Sequence, residues 1–251
     1  MDQIAFTHYS LMVEKYINKG ASIPRHTSHQ LSTRLLERFR QAGGECLFTC
    51  RAEEILFDGE KACGVRTTKG NFYGDYILSN INPEITLGKL VPKDKVPDFE
   101  KRLVSARNGN FCGRMFTVYL GLDCSYEDLG ITDYSIFFMN SADSVKEYNS
   151  IKDKEKNEFN IFLCYNVSNP DVSPKGTCIC SFTSFHDPSF WDNLNPIEYA
   201  HKKTYYAEKL IDNLKRKTGI SLKEHIEEIE IASPLTFARY INVPEGSVYG
   251  Y

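Results

Sequence analysis

The sequence predicts a protein of the α+β class, in which an α/β unit with a β-meander precedes an antiparallel sheet packed with helices. The hydrophobic pattern changes near residue 88, from short segments punctuated by Asp-Gly and Lys-Gly turns to a long strand with one apolar face. Hydrophobic residues make up 41% of the 251 residues and aromatic residues 13%, which is enough for a substantial core. We therefore predict two domains, residues 1–88 and residues 89–251.

Two helices and a set of short strands are predicted for the first domain. Apolar residues recur at helical spacing from Tyr9 to Ile17, and Gly20 ends the pattern. A second apolar stripe runs from Leu31 to Ala42, where two glycines form a C-terminal stop. Short strands are then predicted at residues 46–49, 55–57, 64–68 and 76–78, with a tight turn at Asp58-Gly59.

The second domain is predicted to be mainly β, after a helical and then irregular stretch over residues 84–108. From Phe111 onward, apolar residues at 116, 118, 120 and 122 alternate with residues of the opposite face, as in a half-buried strand. Further strands are predicted at residues 134–139, 160–165, 177–185 and around 229–231, most of them in one antiparallel sheet. Asn195-Pro196 predicts a helix start and Gly219 its end, and Thr236 is interpreted as the cap of a last helical turn.

The composition indicates which classes of partner and which cellular compartment to expect. The net charge is −3 without a clustered basic run, so we predict no nucleic-acid partner. The eight cysteines contain no Cys-x-x-Cys pair, and we interpret them as reduced, mostly buried thiols of a cytoplasmic protein; Cys178 and Cys180 would share one face of a strand. No apolar run is long enough to span a membrane, and peripheral membrane contact remains an open alternative.

Familiar catalytic and metal-binding patterns are weak in this sequence. No Gly-x-Gly-x-x-Gly follows a strand, and no P-loop is present. His26 and His29 would share a helical turn, but no cysteine or carboxylate has matching spacing, so we predict no metal site. His186-Asp187 has the order of a base and its orienting group, although a loop after a strand is the simpler interpretation. We assign no catalytic residue.

Three segments together resemble the phytoene desaturase, carotenoid isomerase and retinol saturase group of FAD-dependent oxidoreductases. The first segment is a helix ending in Ala42-Gly43-Gly44, then Gly64-Val65 and Ser79-Asn80-Ile81-Asn82-Pro83. The second is the loop over residues 168–176. The third and most specific is the tail Ser233-Pro234-Leu235-Thr236, Arg239-Tyr240 and Tyr249-Gly250.

This resemblance implies a fold, a cofactor and a set of site residues. The first domain would be an incomplete FAD-binding unit, and the second would be the substrate-binding domain. The cofactor would be FAD, and the reaction would be hydride transfer with a hydrophobic polyene or lipid-like substrate, giving desaturation, saturation or isomerisation. The resemblance places near the cofactor Ala52, Ser79, Asn80, Pro83 and Gly250, and near the substrate Tyr240 and Tyr249.

The sequence departs from the family pattern at two places and lacks one element of it. Pro24 is followed by Arg25-His26 where the family often has two glycines, and Ala52 stands where a small β-branched residue is usual. Without the glycine-rich fingerprint, backbone N–H groups for the pyrophosphate are missing, so we expect a middle segment of such an enzyme that does not hold FAD stably alone. Two alternatives remain open: a non-redox module that binds hydrophobic ligands, and a ligand-free interaction fragment that self-associates through apolar surface.

Overall fold

The computed structural model describes residues 6–20, 22–24, 27–98, 100–102, 114–153 and 155–247. These residues form helices and two antiparallel sheets, which confirms the predicted α+β class. They group into two compact units. The sheet unit comprises the described residues of Met1–Arg38 and Arg114–Leu235, and the meander unit those of Phe39–Gly113 and Thr236–Tyr251. The domain boundary at residue 88 stays a prediction.

The first 102 residues contain the two predicted helices and a three-stranded meander. Helix α1 spans Phe6–Lys19 and helix α2 spans Ser28–Gln41. The strands are β1 Ala52–Asp58, β2 Lys61–Thr67 and β3 Gly70–Tyr73, paired in the order β1-β2-β3. Gly59 has φ 59°, a left-handed conformation that glycine adopts without strain, in the two-residue turn between β1 and β2. The short helix α3, Pro83–Ile85, continues into a π-helical turn, Thr86–Leu90.

Two predicted strands of the first domain are wrong. Residues 46–49 form no strand, because the chain turns at residues 48 and 49 and Thr49 has φ 49°. Residues 76–78 form none either, since Tyr76 and Leu78 are each 94% exposed and have no sheet surface to cover. Strand β3 at Gly70–Tyr73 completes the meander instead.

The sheet unit contains the predicted antiparallel sheet. Its order is β5-β6-β7-β4-β8, and each neighbouring pair runs antiparallel. The strands are β4 Met115–Leu122, β5 Ser135–Phe138, β6 Asn160–Cys164, β7 Cys178–Phe185 and β8 Ile226–Ala232. The alternation predicted for β4 is confirmed, because its apolar residues at 116, 118, 120 and 122 are almost completely buried.

The helices after β4 are α4 Ser144–Ile151, α5 Tyr165–Ser168, α6 Pro196–Thr218 and α7 Pro234–Ile241. Single 3₁₀ turns occur at Lys93–Lys95, Pro170–Val172, Pro188–Trp191, Lys223–His225 and Pro244–Gly246. Helix α7 begins at Pro234, two residues before Thr236, so the predicted cap at Thr236 is wrong. Proline suits the first helical position because its missing N–H has no partner there in any case.

Helix α6 and the inner face of the sheet build the main core. Leu210 and Leu214 belong to the same buried cluster as the apolar residues of β4, β6 and β7. The start of α6 is fixed by a capping box, in which the Asn195 side chain accepts the Glu198 N–H at 3.0 Å while the Glu198 carboxylate accepts the Asn195 N–H at 2.9 Å. Gly219 ends the helix with φ 84°, as predicted.

Among the described helices, none combines the length and the apolar character that a bilayer crossing demands.

Candidate functional site

The outer face of the sheet, opposite the core cluster, carries a concentration of hydroxyl groups. Alternation along each strand places Thr117 and Tyr119 of β4 on this face, beside Thr183 and Ser181 of β7. The Thr117 and Thr183 hydroxyls lie 3.3 Å apart. Thr117 and Ser181 are 3% and 1% exposed, so these two polar side chains are buried although they lie opposite the core.

Tyrosine side chains extend the outer face towards β5 and β6. The Tyr165 hydroxyl, directly after β6, shares a hydrogen bond of 3.1 Å with Ser181 Oγ. The Tyr134 ring meets the Tyr165 ring edge-on, with centroids 6.2 Å apart. Burial, with a further contribution from neighbouring Tyr165, raises the pKa of both Tyr119 and Tyr134. These phenols therefore remain protonated at neutral pH and serve as hydrogen-bond donors.

A cavity of about 360 Å³ opens on the outer face, within the sheet unit. Its sheet side consists of Tyr119, Tyr165 and Ile179. A second wall is formed by the segment before α2 and the start of that helix. The loop after α5 completes the lining. Together these parts contribute Ile23, Pro24, Thr27, Ser28, Asn169 and Val172. Its size and its mostly apolar and aromatic wall with few polar groups are typical of sites for small hydrophobic ligands.

This cavity was missed by sequence reasoning. The alternation of β4 did indicate that Tyr119 faces away from the core, but nothing in the sequence indicated which segment covers it. Pro24, which precedes the departure from the family pattern at Arg25-His26, lines the cavity together with Ile179, a residue 155 positions further along the chain.

The predicted cofactor-side residues lie in the meander unit. Ala52 is the first residue of β1 and pairs with Thr67. Ser79 Oγ shares a 2.7 Å hydrogen bond with Thr86 Oγ1, and Pro83 begins α3, whose first turn is capped by Asn82. Ser79, Asn80 and Pro83 are exposed, and the hydrogen bond between Ser79 and Thr86 connects this segment to the π-helical turn after α3.

The predicted tail residues are only partly described. Tyr240 lies in α7, is 78% exposed, and has the Arg239 guanidinium 5.6 Å from its ring centroid. Tyr249 and Gly250 lie outside the described residues, as does His26. The roles assigned to all these positions therefore stay predictions.

The described residues do not fit the pyrophosphate of a dinucleotide. Such a group requires a strand that passes through a glycine-rich turn into a helix N-terminus. In the described part of the chain, β6 runs directly into α5, β8 reaches α7 through Ser233, and β1–β3 form a plain meander. We therefore derive no reaction step through a flavin bound to these residues.

His186 is a core residue and not the base of a catalytic triad. Its imidazole stacks on Phe116 with centroids 4.7 Å apart and lies 5.7 Å from the Trp191 ring. Burial, and then the positive charges of Lys209 and Lys202, lower the pKa of His186 to about 3. Asp187 points elsewhere and caps the following turn, where its Oδ1 accepts the Ser189 N–H at 3.0 Å.

Two groups of side chains have the geometry of metal ligands within the described residues. Cys164, Cys178 and Cys180 bring their sulfur atoms within 4.8 Å of one another in the core. Asp123, Cys124 and His225 do the same near the surface, where His225 Nδ1 lies 2.9 Å from Asp123 Oδ1.

Comparison with known proteins gives relatives but no matching family model. The chain is 26% identical over 269 residues to the all-trans-retinol 13,14-reductase of Danio rerio, covering 99% of this chain and 44% of that protein. It is 26% identical over 222 residues to the prolycopene isomerase of Arabidopsis thaliana, covering 86% and 35%. It is 24% identical over 235 residues to the 1-hydroxycarotenoid 3,4-desaturase of Flavobacterium sp. (strain P99-3), covering 92% and 45%.

A solved structure shares the fold. The crystal structure of an oxidoreductase from Methanosarcina mazei superposes with a TM-score of 0.64 at 14% identity, covering 92% of this chain and 48% of that one. The chain spans less than half the length of these curated relatives and of this structure.

Proposed function

We propose that this chain, a homologue of retinol reductases, prolycopene isomerases and carotenoid desaturases, is the substrate-binding part of an oxidoreductase that acts on a hydrophobic polyene. The observation that carries the proposal is the apolar cavity on the hydroxyl-bearing outer face of the five-stranded sheet. Desaturation, saturation and isomerisation are the reactions that this class covers.

The cavity suits the chemistry of such a substrate. A polyene is flat and apolar, so binding gains from removing apolar surface from water, at about 25 cal/mol per Å². Ile23 and Ile179 supply apolar contact, and the rings of Tyr119 and Tyr165 supply flat surfaces. The protonated Tyr119 hydroxyl is available to orient a single polar end group of the ligand.

The redox chemistry belongs to the cofactor, and FAD is the cofactor we propose for the whole protein. We assign to its neighbourhood Ala52, Ser79, Asn80, Pro83 and Gly250, with Tyr240 and Tyr249 on the substrate side. What this chain's residues do is bind the polyene, orient it and exclude water. Because the described residues do not fit the pyrophosphate, substrate binding by this chain should not depend on FAD.

Titration with retinol, followed through ligand fluorescence, tests the proposal. The chain should bind one equivalent of retinol. Ile179→Asn should weaken binding about tenfold or more, because it removes apolar contact and leaves an amide in an apolar wall, a loss of at least about 1.4 kcal/mol.

The matched control is Ile229→Asn, the same exchange on β8 at a 44% exposed position that does not line the cavity. It should bind retinol like the unmodified chain. Equimolar FAD should leave the retinol affinity unchanged and show no flavin absorbance shift. Equal affinities of the two variants, or no retinol binding by the unmodified chain, would overturn the proposal.

A further inference from the structure

Three buried cysteines converge inside the sheet unit, away from the proposed polyene cavity. Cys164 on β6 and Cys180 on β7 are direct partners across the antiparallel pair, and Cys178 is two residues before Cys180 on the same face. All three are at most 1% exposed. Their sulfur atoms lie within 4.8 Å of one another. We propose that these three thiols bind a thiophilic divalent cation of the Zn²⁺ or Cd²⁺ class.

The spacing of the sulfur atoms is close to what such an ion needs. Zn–S bonds of about 2.3 Å at tetrahedral angles place the sulfurs about 3.8 Å apart. Binding therefore requires the cluster to contract by about 1 Å or less.

The three thiols already face one another. Cys164 shares sulfur hydrogen bonds with both Cys178 and Cys180, and the backbone N–H groups of Val167 and Asn166 also point at its sulfur. An ion at the centre of the cluster would therefore meet all three sulfurs at once.

Binding exchanges protons for the ion. Each thiol that binds the dication gives up its proton, so M²⁺ and three thiols give the three-thiolate complex and three released protons.

Cys124 is partly exposed and packs against the core cluster that contains the three buried cysteines. The surface group of Asp123, Cys124 and His225 is therefore a competing site that any experiment must separate from the buried cluster.

The test is titration of the full, reduced chain with Cd²⁺, followed through thiolate-to-metal charge-transfer absorption and a pH indicator in weak buffer. We expect one Cd²⁺ per chain and release of protons with each ion bound, with Zn²⁺ competing for the same site. Cys180→Ala should weaken binding at least about 100-fold, since loss of even an outer-shell partner costs about 10–100-fold.

Two control variants assign the site. Cys46→Ser changes a cysteine of the meander unit and should keep the original affinity, and His225→Ala should do the same because it changes only the surface group.

If Cys180→Ala does not fold, thermal unfolding of the unmodified chain tests the proposal instead. A ligand that binds the folded state raises Tm as its concentration increases. Binding without proton release, binding abolished by His225→Ala, unchanged affinity in Cys180→Ala, or no rise of Tm with Cd²⁺ would overturn the inference.

Discussion

His186 shows how the environment of a single residue decides between chemistry and packing. Beside an aspartate in the sequence, it has the order of a catalytic pair, yet its ring is enclosed by Phe116, Trp191 and Tyr206. An imidazole buried this way cannot take up a proton near neutral pH, and it contributes to the core as an aromatic side chain.

Acid should therefore destabilise the folded chain through His186. The pKa of His186 is about 3 when folded, against 6.5 for the ordinary side chain. Below pH 6.5 the unfolded chain binds a proton that the folded chain excludes, so this contribution is complete above pH 6.5 and is lost as the pH falls towards 3. The loss is about 1.4 kcal/mol per pH unit, or about 2 kcal/mol between pH 6.5 and pH 5.

Urea unfolding at a series of pH values measures this dependence. His186→Phe keeps an aromatic ring in the cluster and removes the titrating group, so the free energy of unfolding should fall less steeply between pH 6.5 and pH 5. If both proteins lose stability in parallel over this range, His186 does not carry the effect.

At the scale of the element, helix α6 shows how a capping motif in the sequence determines where a helix begins. Packing of that helix against the sheet then builds the core. The Asn195 side chain accepts N–H groups of Ile197 and Glu198, and these bonds place the first turn of a helix that buries Leu210 and Leu214 against the sheet. Asn195→Ala should lower the free energy of unfolding by about 1 kcal/mol, as measured by urea unfolding.

The matched control for this variant is Asn149→Ala, the same exchange at an exposed interior position of α4. It should change the free energy of unfolding by no more than about 0.5 kcal/mol. Equal losses in the two variants would mean that the capping box does not stabilise α6.

Elements with a strong local pattern were predictable, and those that depend on distant partners were not. The apolar alternation of β4 depends only on residues close together in the sequence, and so do the N-cap and the C-terminal glycine of α6. The predictions for β4 and for the ends of α6 are both confirmed. The strand predicted at residues 46–49 failed because the left-handed conformation of Thr49 breaks the extended chain. The strand predicted at residues 76–78 failed because a strand needs a neighbour, which sequence pattern alone does not supply.

The candidate sites show the same limit more sharply. Ile23 and Ile179 meet at the cavity, and Cys164 meets Cys180, only after the sheet has formed. The eight cysteines contain no Cys-x-x-Cys pair, which is one reason why we predict no metal site from the sequence. That spacing identifies ligands on a single turn, and it does not identify cysteines that face each other across two paired strands. The family resemblance was predictable because its motifs are local in sequence.

At the scale of the whole molecule, the two units carry different parts of the proposed function. The cavity lies within the sheet unit, so polyene binding is a property of that unit. The residues assigned to the flavin lie in the meander unit or outside the described residues. Substrate binding can therefore be examined without the cofactor, and a failure of one assignment leaves the other testable.

Photolabelling with a retinoid that carries a photoreactive group tests the central claim most directly, because it reports where the polyene binds. After irradiation and proteolysis, mass spectrometry should find the label on peptides that contain Tyr119, Tyr165 or Ile179, and excess unlabelled retinol should suppress it. Label that is concentrated in the meander unit, or that excess retinol does not displace, would contradict the claim that the outer face of the sheet binds the substrate.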